Sequence, residues 1–365
     1  MLLNGWLRVG CQNCCESPEK GRGQCLVLRE RRACHADNQY RLTTQLTMKH
    51  SPNRCREKRH ANRHLTPQWI CGTLKIVALF VASFSLVSAV KGEEVGAYRV
   101  HEDLVYSSQD RDLALDLFLP EGTGGPYPCV IVIQGGGFRA QDGQRFRWVA
   151  EYLAGRGFAA ALIAYRGTPK HTYLDTVADT KAAVRYVRRM SARYGIDPDR
   201  IGATGSSAGG TLAALLAVTG DDPEFERQVG NQEYSSRIQA AVTYSGVFDF
   251  VGRFTEQSQI ELQPNIDAKI ISNGAWVGQP FSTDSEAWRN ASAINHVDSD
   301  DPPILFVHCK DDATVPWPQS QLMWEKMRDE GIDSSVLYYE TGGHGYKGVG
   351  EKRLAAMVEF FRERL

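Results

Sequence analysis

Residues 200–218 read RIGATGSSAGGTLAALLAV, a strand-like segment that passes through a Ser/Gly turn into an apolar helical run. Gly205, Ser207 and Gly209 stand at the junction in the spacing G-x-S-x-G, while Ser206 lacks that spacing because residue 204 is Thr. The spacing alone is weak, since Gly and Ser are common residues. Its setting carries the information. A nucleophilic serine needs a sharp strand-to-helix turn, flanking residues too small to obstruct it, and a helix N-terminus beneath. Ser207 is therefore the expected nucleophile, and a plain Ser/Gly helix cap is the alternative.

Working outward, strands and helices alternate. LALDLFLP (113–120) has strand periodicity up to a proline, and PCVIVIQ (128–134) is a continuous apolar run of the kind buried on both faces. Helical patterns cover 145–157, 177–194, 208–218, 320–331 and 351–364, with further strands at 158–165, 200–205, 238–246, 302–308 and 334–340. This order implies an α/β fold with a mostly parallel sheet and helices on both faces. Residues 247–300 have no clear period and are too long for an ordinary connection, which predicts a lid-like insertion. Trp276, Phe281 and Trp288 lie within it, either as ligand platforms or as small local cores.

A serine hydroxyl needs a base, normally His, which a carboxylate orients. In this chain order both should follow Ser207 on loops just past strands. His344 is the one histidine after residue 308, and Gly342, Gly343 and Gly345 let its loop bend. For the acid, Asp311 and Asp312 both follow a strand, and the residues alone do not separate them. Ahead of the serine, VIVIQGGGFR (130–139) delivers three glycines, Gly135 to Gly137, from the end of a buried strand. Such glycines mark close approach of another molecule to the main chain.

Taken together, LALDLFLP, GGGF, Tyr165-Arg166, AAVRYVRRMSARYGIDPDRIGATGSSAGG, DPPILFVH and DDATVP resemble an α/β-hydrolase. Within that fold, residues 98–364 resemble the secreted BD-FAE (feruloyl and acetylxylan esterase-like) group. The resemblance implies Asp312 rather than Asp311 as the acid, because it precedes Val315-Pro316 by three residues, and it supports Ser207 and His344. It also implies an oxyanion hole from the Gly135, Gly136 and Gly137 loop, chiefly the Gly136 and Gly137 N–H groups, with that of Ala208. Two positions depart from the group's pattern: Gln134 stands where His is common, and Cys309 where Gly is common. Cys309 is expected to crowd the approach to Asp312, and Gln134 to hold the glycine loop.

The implied activity is carboxylic-ester hydrolysis through an acyl-enzyme, with acetyl or aryl esters of carbohydrates as an attractive substrate class, whose sugars Trp276, Phe281 and Trp288 would stack on. An amidase of the same fold, or a binding protein on this scaffold, is the alternative. Nothing in the sequence calls for a metal or cofactor. The 365-residue chain has a formal charge of -1, but Lys and Arg outnumber Asp and Glu 14 to 5 in residues 1–90 and are outnumbered 28 to 38 thereafter. An acidic body argues against a nucleic-acid partner.

Cys11, Cys14, Cys15, Cys25, Cys34 and His35 lack the paired spacing of a zinc site. Residues 1–47 are read as a disordered or mis-assigned extension, with Met48 or a nearby residue as the initiator, and 48–89 as a basic region and secretory signal ending at Val87-Ser88-Ala89. The uncharged stretch 76–90 is short for a membrane span, which needs about 20 residues, so secretion or periplasmic export is expected, with a membrane anchor as the alternative. Residues 90–365 are read as one hydrolase domain.

Overall fold

Val130 and Val132 face one way from their strand and Ile131 and Ile133 the other, yet all four are fully buried. That is possible only if helices cover both faces of the sheet. In the computed structural model, residues 96–365 are described, apart from 123, 221 and 228. The N-terminal cysteines, Met48 and the signal stretch lie outside the described residues.

The strands are β1 (Tyr98–Ser108), β2 (Asp112–Pro120), β3 (Tyr127–Ile133), β4 (Ala159–Ile163), β5 (Ile196–Ser206), β6 (Ala240–Tyr244), β7 (Ile304–Cys309) and β8 (Ser335–Tyr339). They form one sheet in the order β1-β2-β4-β3-β5-β6-β7-β8. β1 and β2 pair antiparallel, as do β2 and β4; the other pairs are parallel.

The helices are α1 (Arg147–Ala154), α2 (Tyr173–Tyr194), α3 (Ala208–Val218), α4 (Gly252–Thr255), α5 (Gln257–Ile260), α6 (Ile266–Val277), α7 (Glu286–Asn290), α8 (Pro318–Asp329) and α9 (Gly350–Arg364). Ile131 and Ile133 join the core under α2, α3 and α8. Val130 and Val132 join a second core with Val149 and Leu153 of α1 and Met357 and Phe361 of α9. Alternation along each strand thus feeds two cores, which is the physical basis of the α/β layering. Among the described residues no helix is long and apolar enough to cross a membrane.

The insertion differs from its reading as a periodless lid. Its residues form α4 to α7 and a 3-10 turn at Ala293–His296. Trp276 and Trp288 are fully buried, so neither is available to stack on a sugar. Trp276 stacks on Phe138 of the glycine loop at 3.9 Å between ring centroids, and half-buried Phe281 meets Trp288 edge-on at 4.9 Å. These aromatics are a local core that fastens the insertion to the Gly135–Gly137 loop through Phe138.

Candidate active site

All the residues singled out for chemistry lie past the carboxyl ends of parallel strands, where open α/β sheets gather their ligand sites. β3 runs into Gly135–Gly137, β5 into Ser207, β7 into Asp311 and Asp312, and β8 into His344. Because β3 and β6 flank β5, Ser207 emerges at the centre of the sheet.

Ser207 has φ 56° and ψ -124°, a sparsely populated positive-φ conformation that costs a non-glycine residue about 1–3 kcal/mol. The neighbours make it tenable. The Ser207 N–H donates to the Tyr244 carbonyl at 2.7 Å, and α3 begins at the next residue. A Cβ at Gly209 would lie 2.1 Å from the Ile133 carbonyl oxygen, so only glycine lets α3 start against β3. At Gly135 a Cβ would lie 2.2 Å from the Ser206 carbonyl oxygen, which brings the glycine loop against the serine turn.

His344 Nδ1 donates to Asp312 Oδ2 at 2.8 Å. Asp312 is 2% exposed, and its Oδ1 accepts the N–H groups of Thr314 at 2.8 Å and Val315 at 3.1 Å. Burial alone would raise its pKa. Hydrogen bonds from His308 and His344, with their charge, outweigh that and hold the carboxyl well below the usual range, so it stays ionised. His308 is itself buried, with Nε2 3.0 Å from the Val315 carbonyl and 3.5 Å from Asp312 Oδ2, and Nδ1 2.8 Å from Ser320 Oγ.

Asp311 has a different place. Its carboxylate accepts the N–H groups of Gly342 at 3.1 Å and Gly343 at 2.7 Å. One aspartate thus holds the imidazole and the next holds the backbone of the loop that carries it. Tyr346 ties down the far side of this loop by donating to the Val307 carbonyl at 2.6 Å.

Ser207, His344, Gly135, Gly136 and Gly137 line one cleft of about 650 Å³. Among the described residues, the N–H groups of Gly136, Gly137 and Ala208 meet no acceptor. A carboxylate-bound imidazole, a serine at a helix start and the Gly136 and Gly137 backbone thus open on one space, with Ala208 next in the chain to Ser207. Such a space can take an acyl carbonyl and stabilise the oxyanion formed on attack.

Gln134, the first departure from the group's pattern, is 1% exposed and fully used. Its amide donates to Gln141 Oε1 and accepts the Arg145 N–H at 2.8 Å, while its carbonyl accepts from Tyr165 Oη at 2.6 Å. The Gln141 amide occupies the space a side chain on Gly136 would need. Gln134 therefore reaches the glycine loop through Gln141. The second departure, Cys309, packs its sulfur under Gly342, where a Cβ would come within 2.9 Å of it. Burial pushes its thiol up to about 11. The expected crowding falls on the His344 loop rather than on Asp312, which keeps its contact with the imidazole.

Several residues here went unread in the sequence. His308 stands four positions before Asp312, and that spacing was the available signal; Gln141, Arg145, Arg253 and Arg353 offered none. Arg253 of α4 is buried and donates to Gln263 Oε1, Asn273 Oδ1 and the Thr314 carbonyl, so the insertion grips the Asp312 loop.

The sheet order, the serine turn and the two late loops define an α/β-hydrolase. Residues 115–327 match the BD-FAE family, and the chain belongs to it. Among relatives, it is 30% identical over 271 residues to the probable carboxylic ester hydrolase LipM of Mycobacterium tuberculosis, a match covering 72% of this chain and 60% of that one. The chain thus spans about three-fifths of that relative's length. Among solved structures it is similar to a truncated carbohydrate esterase from gut microbiota, with 26% identity and a TM-score of 0.64, covering 74% of this chain and 97% of that one. It is also similar to Thermogutta terrifontis esterase 2 phosphonylated by sarin, with 28% identity and a TM-score of 0.61, covering 74% and 96% of the two chains.

Proposed function

We propose that the chain is a serine carboxylic-ester hydrolase working through an acyl-enzyme. Ser207 Oγ attacks the acyl carbon while His344 takes its proton, and Asp312 keeps the imidazole in the tautomer that can accept it. Negative charge then builds on the carbonyl oxygen, where the Gly136, Gly137 and Ala208 N–H groups serve as donors, each contributing about 3–4 kcal/mol to lowering the barrier. His344 returns the proton to the leaving alkoxide, and water releases the acid by the same steps in reverse order. The observation that carries this reading is the 2.8 Å contact from His344 to buried Asp312, with His344 and Ser207 lining one cleft. None of the steps calls on a metal or cofactor.

For substrate we take acetyl or aryl esters of carbohydrates, supported by the carbohydrate esterase among the structural relatives. Export directed by a signal segment at 48–89 fits such a role, and N-terminal sequencing of the mature protein tests it.

A fluorophosphonate probe, suggested by the sarin adduct of the Thermogutta relative, is expected to label Ser207. p-Nitrophenyl acetate is expected to turn over faster than p-nitroacetanilide, and Ser207→Ala to abolish labelling and turnover together. Dominant anilide cleavage would assign an amidase instead. No labelling of folded protein would assign a binding role.

A further inference from the structure

The cleft that holds Ser207 and His344 also holds two arginines, Arg145 and Arg353. Among the described residues neither is ion-paired. Arg145 is exposed and donates to the Gly135 carbonyl at 3.1 Å and to Gln141 Oε1 at 3.4 Å. Arg353, in the first turn of α9, is held differently. Its guanidinium carbon lies 4.6 Å from the ring centroid of Tyr346, 4.7 Å from that of Tyr244 and 5.7 Å from that of Trp148. Aromatic faces fix a guanidinium without using its N–H donors. Its Nε is buried without an acceptor.

A half-buried cation fixed in place, with its Nε unspent and, among the described residues, no carboxylate paired to it, is incomplete. Desolvation makes an unpaired charge costly, and a planar fork matches a carboxylate with two parallel hydrogen bonds. We propose that Arg353, with Arg145 lining the same cleft, forms an anion subsite that selects esters whose alcohol portion carries a carboxylate, such as an acetylated uronic or hydroxy acid. This rests on the ester-hydrolase reading.

The alcohol side is assigned by the chemistry of the general acid. His344 must reach the leaving oxygen, and His344, Tyr346 and Arg353 line the same cleft. A second groove of about 680 Å³ shares Gly136 and Gly137 but runs along Ser272 and Ala275 of α6, with neither Ser207 nor His344 in its wall. That groove is left for the acyl group.

The test compares 4-acetoxybenzoate with neutral 4-acetoxybenzamide, each rate divided by its hydroxide-catalysed rate to remove leaving-group reactivity. The wild-type chain is expected to favour the benzoate in kcat/KM by at least about tenfold, the scale of charge-assisted hydrogen bonds. The preference is expected to fall as salt rises and to drop to near unity in Arg353→Met. Arg353→Lys, which keeps the charge and loses the fork, should retain part of it. Should the variants not fold, inhibition of wild type by 4-hydroxybenzoate against 4-hydroxybenzamide decides the matter, the benzoate being expected to bind more tightly. Equal normalised rates in wild type, or a preference that survives Arg353→Met, overturns the subsite alone. Hydrolysis of neither ester overturns the ester-hydrolase reading and the subsite with it.

Discussion

Replacing Gln134 by alanine removes the amide that donates to Gln141 and accepts the Arg145 N–H. Each bond is worth about 1 kcal/mol net, so about 2 kcal/mol of loop order is lost. The residue is 1% exposed, which leaves water little room to replace it. Gln141 packs where a Gly136 side chain would sit, so its release frees Gly136 to turn its N–H away from the proposed oxyanion site. If the whole loss is expressed in the transition state, kcat falls about 30-fold. Loss of an oxyanion donor outright costs about 10²–10³-fold, which bounds the effect from above. Steady-state hydrolysis of p-nitrophenyl acetate is therefore expected to show kcat down by about ten- to thirtyfold with KM within about twofold. Gln134→Met, which fills the space without the hydrogen bonds, should behave nearly as badly in kcat while losing less stability in urea. Unchanged kcat in Gln134→Ala alongside a clear loss of stability would make the amide a packing element only and refute the chain of contacts from Gln134 to Gly136.

The two neighbouring aspartates should separate cleanly. Asp312→Asn is expected to lower kcat by about 10³–10⁴-fold through the wrong imidazole tautomer. Asp311→Asn should cost kcat less than about tenfold and instead speed amide exchange at Gly342 and Gly343, whose N–H groups it holds; equal kcat losses would contradict the assignment. Away from the cleft, burial pushes the Asp301 carboxyl up to about 7. Its folded pKa lies above the unfolded value near 4, so the folded state binds the extra proton and stability declines as pH rises from about 4 to 7. Thermal melts should show Asp301→Asn equal to wild type near pH 4 and more stable at pH 8, and a constant difference across that range would count against the shift.

The sequence showed most clearly the parts of this molecule built on regular burial. β3, β4 and β7 are runs of apolar residues, and α2 carries its apolar face at helical spacing, so period alone locates them. β1 escaped because its pairing with β2 slips between His101 and Leu104 and again between Val105 and Ser107, which breaks the alternation. The insertion escaped because α4, α5 and α7 are four or five residues long, too short to show a period. Trp276 and Trp288 could be read as ligand platforms because burial is decided by what folds over a residue, here Phe138 and Phe250.

At the centre, Ser207 and His344 could be picked from order and spacing, since a strand-to-helix serine and a late histidine are tied to chain direction. Asp311 and Asp312 could not be told apart on the residues alone, because neighbours in sequence point to different partners and only the turn after β7 decides which. Arg353 was invisible for another reason: its setting is made by Trp148, Tyr244 and Tyr346, residues from three distant parts of the chain.

Tyr244 has a double attachment that bears on how the molecule transmits force. Its carbonyl receives the Ser207 N–H at 2.7 Å, and its hydroxyl donates to the Arg353 carbonyl at 3.0 Å. One rigid aromatic residue thus bolts the strained serine turn to the opening turn of the last helix. A partner fused to that helix therefore pulls on a residue that is hydrogen-bonded to the Ser207 backbone.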